Sequence, residues 1–224
     1  MKKTIYAAFI FAAFGMTACG EQEEVAKDDK TSGEDKQEEV TSETYGLNAG
    51  ETELAWRAAW VMPNEDGEIL DEAKHHEGTI SITEGELTKE GDDVSGSFII
   101  DLTSITVTDL EEEDGKGKLE AHLTGTDEEK PEDDFFNTNE FTNATVDINS
   151  IENGVADITI NVIGMEINET VELEVSESGD QMMMHGEFDI DMSALGFAMT
   201  EPNTEEGNIN PTIGFQLHLV LDKK

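Results

Sequence analysis

Apolar and polar residues alternate with a period of two over most of the chain beyond about residue 47. Leu54, Trp56, Ala58, Trp60 and Met62 occupy every second position. Phe98, Ile100 and Leu102 do so against Asp101 and Thr103, and Ile158, Ile160 and Val162 against Thr159 and Asn161. The same spacing runs through Val171–Leu173–Val175, Phe188–Ile190–Met192 and Ile213–Phe215–Leu217–Leu219–Leu221. A strand turns successive side chains to opposite faces, so each run predicts a strand with one buried and one wetted face. Shorter strands are expected at Thr79–Thr83, Lys118–Leu123 and Thr145–Ile151. Asn153-Gly154, between two such runs, is a hairpin signal because the favoured two-residue turn needs positive φ. Ser178-Gly179-Asp180 and Gly91-Asp92-Asp93 read in the same way. Glu111–Gly117 and Thr200–Asn210 are expected to be polar loops. No amphipathic helix of ordinary length is predicted. A short helical turn is expected near 131–141, with Phe135 and Phe136 plugging inward. About eight or nine strands with short connections predict an all-β fold, and the length of the strands favours an antiparallel up-and-down β-barrel over a sandwich.

The N-terminus departs from this pattern. Lys2 and Lys3 precede an apolar stretch, Ile5 to Met16, that is too short to cross a bilayer as a helix. It ends in Met16-Thr17-Ala18-Cys19-Gly20, small residues before a lone cysteine. This resembles the lipobox of bacterial lipoproteins. The resemblance implies cleavage before Cys19, lipidation of its thiol and acylation of its amino group. Several acyl chains anchor a protein stably where one does not. The expected organisation is a lipoprotein signal peptide over residues 1–18, an acidic disordered tether over 19–46 and a β-barrel domain over 47–224. The tether has too few apolar residues to offset the entropy of ordering it. No Asp follows Cys19 directly, so the expected destination is the outer membrane of a bacterial envelope, with the periplasmic or surface face left open.

Charge narrows the function classes. Thirteen Lys and Arg face 53 Asp and Glu, a formal net charge of −40. Such a surface repels phosphate backbones, so no nucleic-acid partner is expected. A single Cys allows neither an internal disulfide nor a Cys-based zinc site.

Several short motifs occur in a telling order. His75-His76 is followed by Gly78-Thr79-Ile80, and Ser95-Gly96-Ser97-Phe98-Ile99-Ile100-Asp101-Leu102-Thr103-Ser104-Ile105 comes next. Leu119 to Thr124 precedes Asp134-Phe135-Phe136 and Glu140-Phe141. Asp157-Ile158-Thr159-Ile160 is followed by Gly164, and Phe188-Asp189-Ile190-Asp191 by Leu195-Gly196-Phe197. The ordered set, over about residues 54 to 221, resembles the YceI-like family of bacterial polyisoprenoid-binding proteins. The resemblance implies a lipocalin-like barrel that binds an isoprenoid-type lipid. The chain differs from the family pattern in about six extra residues before Phe135, in the absence of Pro after Phe141, and in Met192 where Arg is usual.

An eight-stranded barrel is just wide enough to be filled by its own side chains or to hold one small ligand. The expected pocket lining is Trp56, Trp60, Phe98, Ile100, Leu102, Phe135, Phe136, Ile158, Ile160, Phe188, Phe215 and Leu217. Met182, Met183 and Met184 before His185 offer soft copper ligands, but neighbours in a strand face apart, and Met lining an adaptable pocket is the better reading. His75, His76, His122 and His218 are too dispersed in sequence to predict a zinc site. Asp189-x-Asp191-x-Ser193 begins like a calcium loop but lacks its later ligands. No nucleophile, zinc or phosphate-loop motif is present, so no catalytic residue, metal or cofactor is expected. The expected partners are a polyisoprenoid or quinone-type lipid and, through acylated Cys19, a membrane; a homodimer is left open. The alternative is a filled barrel, a non-catalytic envelope structural or interaction protein working through its acidic surface.

Overall fold

A computed structural model of the chain describes residues 41–64, 66, 69–126, 135–195 and 208–224. The chain divides into two units, Met1–Glu38 and Glu39–Lys224, and the described residues lie in the second. The signal segment, Cys19 and most of the expected tether lie outside the described residues.

The strands are β1 (Ser42–Leu47), β2 (Glu53–Pro63), β3 (Ile69–Glu90), β4 (Asp93–Val107), β5 (Asn143–Glu152), β6 (Val155–Val162), β7 (Met165–Glu172), β8 (Glu174–Ser178), β9 (Gln181–Asp191), β10 (Asn208–Ile209) and β11 (Thr212–Lys223). Among the described residues one α-helix, α1 (Lys116–Thr124), follows β4. Every strand pairing is antiparallel.

The sheet closes on itself as eight staves. β3, β4, β5 and β6 pair in sequence, and β6 pairs with β7. β7 and β8 form one stave bent at Leu173, its first part paired with β6 and its second with β9. β9 pairs with β11 along eleven positions. The last gap, between β11 and β3, is filled by β2 at one end and β1 at the other. β10 extends the β11 stave along β2. Among the described residues most strands are paired on both sides along much of their length, which leaves little edge to recruit another chain. At the bend of the β7–β8 stave, a Cβ on Gly186 of β9 would lie 2.8 Å from the Glu172 carbonyl oxygen. Only glycine lets the two backbones approach so closely there.

Three sequence expectations need correction. Residues 42–46, assigned to the tether, form most of β1. Tyr45 is only 3 % exposed and its hydroxyl donates to Glu43 Oε2 at 2.9 Å. Tyr45 and Leu47 are a short alternating pair, enough to hold a strand once β3 and β11 supply both neighbours. Lys118–Leu123, expected as a strand, lies in α1. Leu119 and Leu123 satisfy both a two-residue and an i,i+4 spacing, and the latter wins. Gly115 and Gly125, both left-handed, bracket the helix. The expected helical turn near 131–141 is not helical over its described part, where Phe135 to Glu140 form bends and turns; residues 131–134 lie outside the described residues.

The core has two parts. Leu87, Met182, Met184 and Leu221 are fully buried and pack with Tyr45 at the end of the barrel bearing the β3–β4 and β8–β9 hairpins. Trp56, Ile105 and Val107 pack under Leu119 and Leu123 of α1 at the other end. Glu120 ties the helix to β4 by accepting the Val107 N–H at 2.9 Å.

Candidate ligand cavity

The barrel is not solid throughout. Between the packed hairpin end and the helix-bearing end lies a cavity of about 180 Å³. Its lining is entirely apolar: inward residues of β2 to β7, β9 and β11, together with Leu123, Phe135, Phe136, Leu173, Met192 and Ile209. Eleven of the twelve residues expected to line a pocket do so: Trp56, Phe98, Ile100, Leu102, Phe135, Phe136, Ile158, Ile160, Phe188, Phe215 and Leu217. Trp60 does not. It keeps the β2–β3 register of Trp56 and Ala58 but lies two residues beyond Ala58, opposite Lys74, whose Nζ lies 6.0 Å from the ring centroid; the register slips only after it, between Trp60 and Val61.

Local sequence explains the shape of the walls. Gly85 lies opposite Phe98, and a Cβ there would come within 2.0 Å of Phe98 Cδ1. The Phe98 ring therefore lies flat over the glycine backbone instead of standing into the cavity. Trp56 covers Gly78 in the same manner, and its indole N–H donates to the Thr79 carbonyl at 3.3 Å. That bond satisfies the one polar atom Trp56 brings, so its ring faces the cavity as hydrocarbon. Phe188 and Phe215, paired across β9 and β11, stack with centroids 6.1 Å apart.

Polar groups sit at the two ends. At the hairpin end Lys89 is ion-paired with Glu177, and Lys223 Nζ lies 2.6 Å from Glu43 Oε1. The Glu177 carboxylate holds the Lys89 ammonium above its ordinary pKa against the opposing effect of burial. Burial, with the Glu43 hydrogen bond second, raises the Tyr45 phenol. At the helix-bearing end His76 Nδ1 lies 2.9 Å from Asp109 Oδ2, and the Glu77 N–H donates to Asp109 Oδ1 at 3.2 Å. Burial pushes the Asp109 carboxyl up, but those two hydrogen bonds outweigh it and leave the group below the usual carboxylate value. The His122 ring meets Phe135 edge-on at 4.9 Å.

The remaining candidates resolve simply. Met182 and Met184 are buried core residues. Asp191 accepts the Ser193 N–H at 2.8 Å and starts a turn. His185 and His218, distant in sequence, stand side by side across β9 and β11 with Nδ1 atoms 3.0 Å apart. Sequence reasoning missed this pair, because only the register of two strands 33 residues apart could reveal it. Among the described residues no three His, Cys, Asp or Glu side chains converge on a metal position as they stand.

A family model described as the YceI-like domain matches residues 47–221. A search of curated proteins finds no match. Among solved structures, Burkholderia cenocepacia BcnA is similar at 16 % identity with a TM-score of 0.52, over 78 % of this chain and 98 % of that one. A Saccharophagus degradans structure, described as a polyisoprenoid binding domain implicated in plant cell wall breakdown, is similar at 14 % identity with a TM-score of 0.52. That match covers 80 % of this chain and 98 % of the other.

Proposed function

The chain belongs to the YceI-like family, and on that premise we propose that its barrel binds an isoprenoid-type lipid with the tail in the interior cavity. The observation that carries the reading is the wholly apolar lining of that cavity. Apolar surface removed from water contributes about 25 cal/mol per Å², and a cavity without polar groups gives an apolar chain nothing to desolvate. The polyisoprenoid binding described for the Saccharophagus structure supports the same ligand class.

Size refines the reading. A cavity of about 150 Å³ lined by Leu, Ile and Phe is known to take a benzene. The cavity of about 180 Å³ here therefore accepts one five-carbon isoprene unit as it stands. Drug-sized ligands occupy about 300–1,000 Å³. A longer prenyl chain, or the tail of a quinone, enters only as lining side chains yield. Phe135 and Phe136 lie outside the strands and are half-buried, so their displacement is the proposed route to that extra space.

The remaining parts of the proposal rest on the sequence: acylated Cys19 anchors the protein in a bacterial envelope, the acidic segment is its tether, and the barrel sequesters or carries its lipid without transforming it. Native mass spectrometry of residues 41–224, which contain every described strand, tests the central part. A bound mass that solvent extraction identifies as a prenyl lipid is the expected result. A clean unbound mass, unchanged after incubation with polyprenyl lipids and quinones, would favour the filled-barrel interaction protein.

A further inference from the structure

The registers of four strands bring Glu174, His185, His218 and Glu53 into one row on the outside of the barrel. Glu174 lies opposite His185, His185 opposite His218, and His218 opposite Glu53. Their neighbours in the chain, Leu173, Met184, Leu219 and Leu54, are buried inside, so the row faces out. Residues opposite each other in antiparallel strands have Cβ atoms about 4.5–5.5 Å apart. The two imidazoles meet with centroids 4.5 Å apart, planes at 34° and Nδ1 atoms 3.0 Å apart. The row crosses a polar groove of about 870 Å³ that Glu172, Glu187 and Gln216 also line.

Two ring nitrogens that close share one proton, one donating and the other accepting. We propose that a divalent transition-metal ion, Cu(II) above all, takes the place of that proton, with His185 and His218 as ligands through Nδ1 and Glu53 and Glu174 completing the site. With metal–nitrogen bonds of about 2.0–2.1 Å, nitrogens at this separation subtend about 95° at the ion. That is a cis pair of a square-planar or tetragonal N,O site, the geometry of Cu(II) or Ni(II), and not the wider angle of a tetrahedral zinc site. Cu(II) is also the tightest-binding divalent ion of the first-row series at such ligands. The donating histidine passes its proton from Nδ1 to Nε2, which leaves both Nδ1 lone pairs for the ion with no net loss of protons. Glu53 and Glu174 are exposed and reach the ion by rotating about their own side-chain bonds. Glu172 and Glu187 in the same groove add negative charge that attracts cations without specifying one. The site is separate from the interior cavity, and its success or failure leaves the lipid reading as it is.

Copper titration of the metal-free, full-length protein, with free glycine as competitor, tests the proposal by electron paramagnetic resonance. One tightly held equivalent with the hyperfine pattern of two equatorial nitrogens is expected, with Ni(II) and Zn(II) held less tightly. Losing even an outer-shell partner costs about 10–100-fold in metal affinity, so His185→Gln and His218→Gln should each cost at least that. Glu166→Gln, exposed on β7 and outside the groove, should leave affinity unchanged. The histidines lie on the outer face, so both variants should melt at the wild-type temperature without metal. Copper bound with an oxygen-only pattern, or with affinity unchanged in His185→Gln, would overturn the site.

Discussion

Filling the cavity from its wall separates an open barrel from a filled one. Ala144 on β5 lies opposite Ile100 on β4, and both line the cavity. Ala144→Leu adds three carbons into that space. At about 0.8 kcal/mol per buried methylene the gross gain is about 2.4 kcal/mol. Ordering the leucine side chain costs about 0.5–1 kcal/mol. The net is close to 1.5 kcal/mol of added stability, which for a domain of this size raises Tm by about 3–6 °C. The same carbons occupy space the ligand needs. A misfit of one methylene in an apolar pocket costs about 10–200-fold in discrimination, and prenyl binding should weaken by at least the lower figure. Ala156 supplies the control, because it is fully buried but does not line the cavity. Ala156→Leu has no space to fill, and overpacking of this kind costs about 1–3 kcal/mol. Scanning calorimetry measures both variants, and calorimetric titration with a short prenyl alcohol measures binding. A fall in Tm for Ala144→Leu equal to that for Ala156→Leu would refute the open cavity. Unchanged prenyl binding in a stabilised Ala144→Leu would refute its occupation by lipid.

Three other outcomes follow from the same geometry. Phe136→Asp places a carboxylate against the apolar lining, where an unpaired charge is costly; it should abolish retention of prenyl lipid in native mass spectrometry with the far-ultraviolet spectrum unchanged, and full retention would remove Phe136 from the site. Gly85→Ala drives a methyl into the Phe98 ring and should destabilise the barrel by about 1–3 kcal/mol, the usual cost of overpacking; a neutral result in thermal melting would mean the ring does not lie over Gly85. The depressed Asp109 pKa implies that its contribution to stability is present above the ordinary value of 3.8 and is lost as pH falls through the lower folded value. The stability difference between wild type and Asp109→Asn in urea should therefore stay level above that value and shrink below it, and a difference that grows on acidification would reverse the assignment.

The inward face of the barrel was legible where large apolar side chains sit at every second position, as in Phe98–Ile100–Leu102 and Ile158–Ile160. It was illegible where the inward side chain is missing. β3 holds Gly78 and Gly85 beneath the Trp56 and Phe98 rings, so its twenty-two residues show apolar alternation only near Ile80 and Ile82. The end of the cavity hides in the same way. Trp60 continues the alternation of Trp56 and Ala58, and β2 alone does not reveal that the cavity lining stops short of it, where Lys74 of β3 stands opposite. α1 was misread because Leu119 and Leu123 fit both periods, and its decisive signals were the flanking glycines Gly115 and Gly125. The His185–His218 pair is a property of register, which alternation within one strand does not encode.

The most direct test of lipid binding inside the barrel is a set of intermolecular nuclear Overhauser effects between methyl-labelled protein and a prenyl lipid. Ile158, Ile160 and Leu217 line the cavity, whereas Val155, Met165 and Val175 are large apolar residues exposed outside. Contacts from the prenyl methyls to the first three, and none to the second, are the predicted result. Contacts confined to Val155, Met165 and Val175 would place the lipid on the surface and contradict the account.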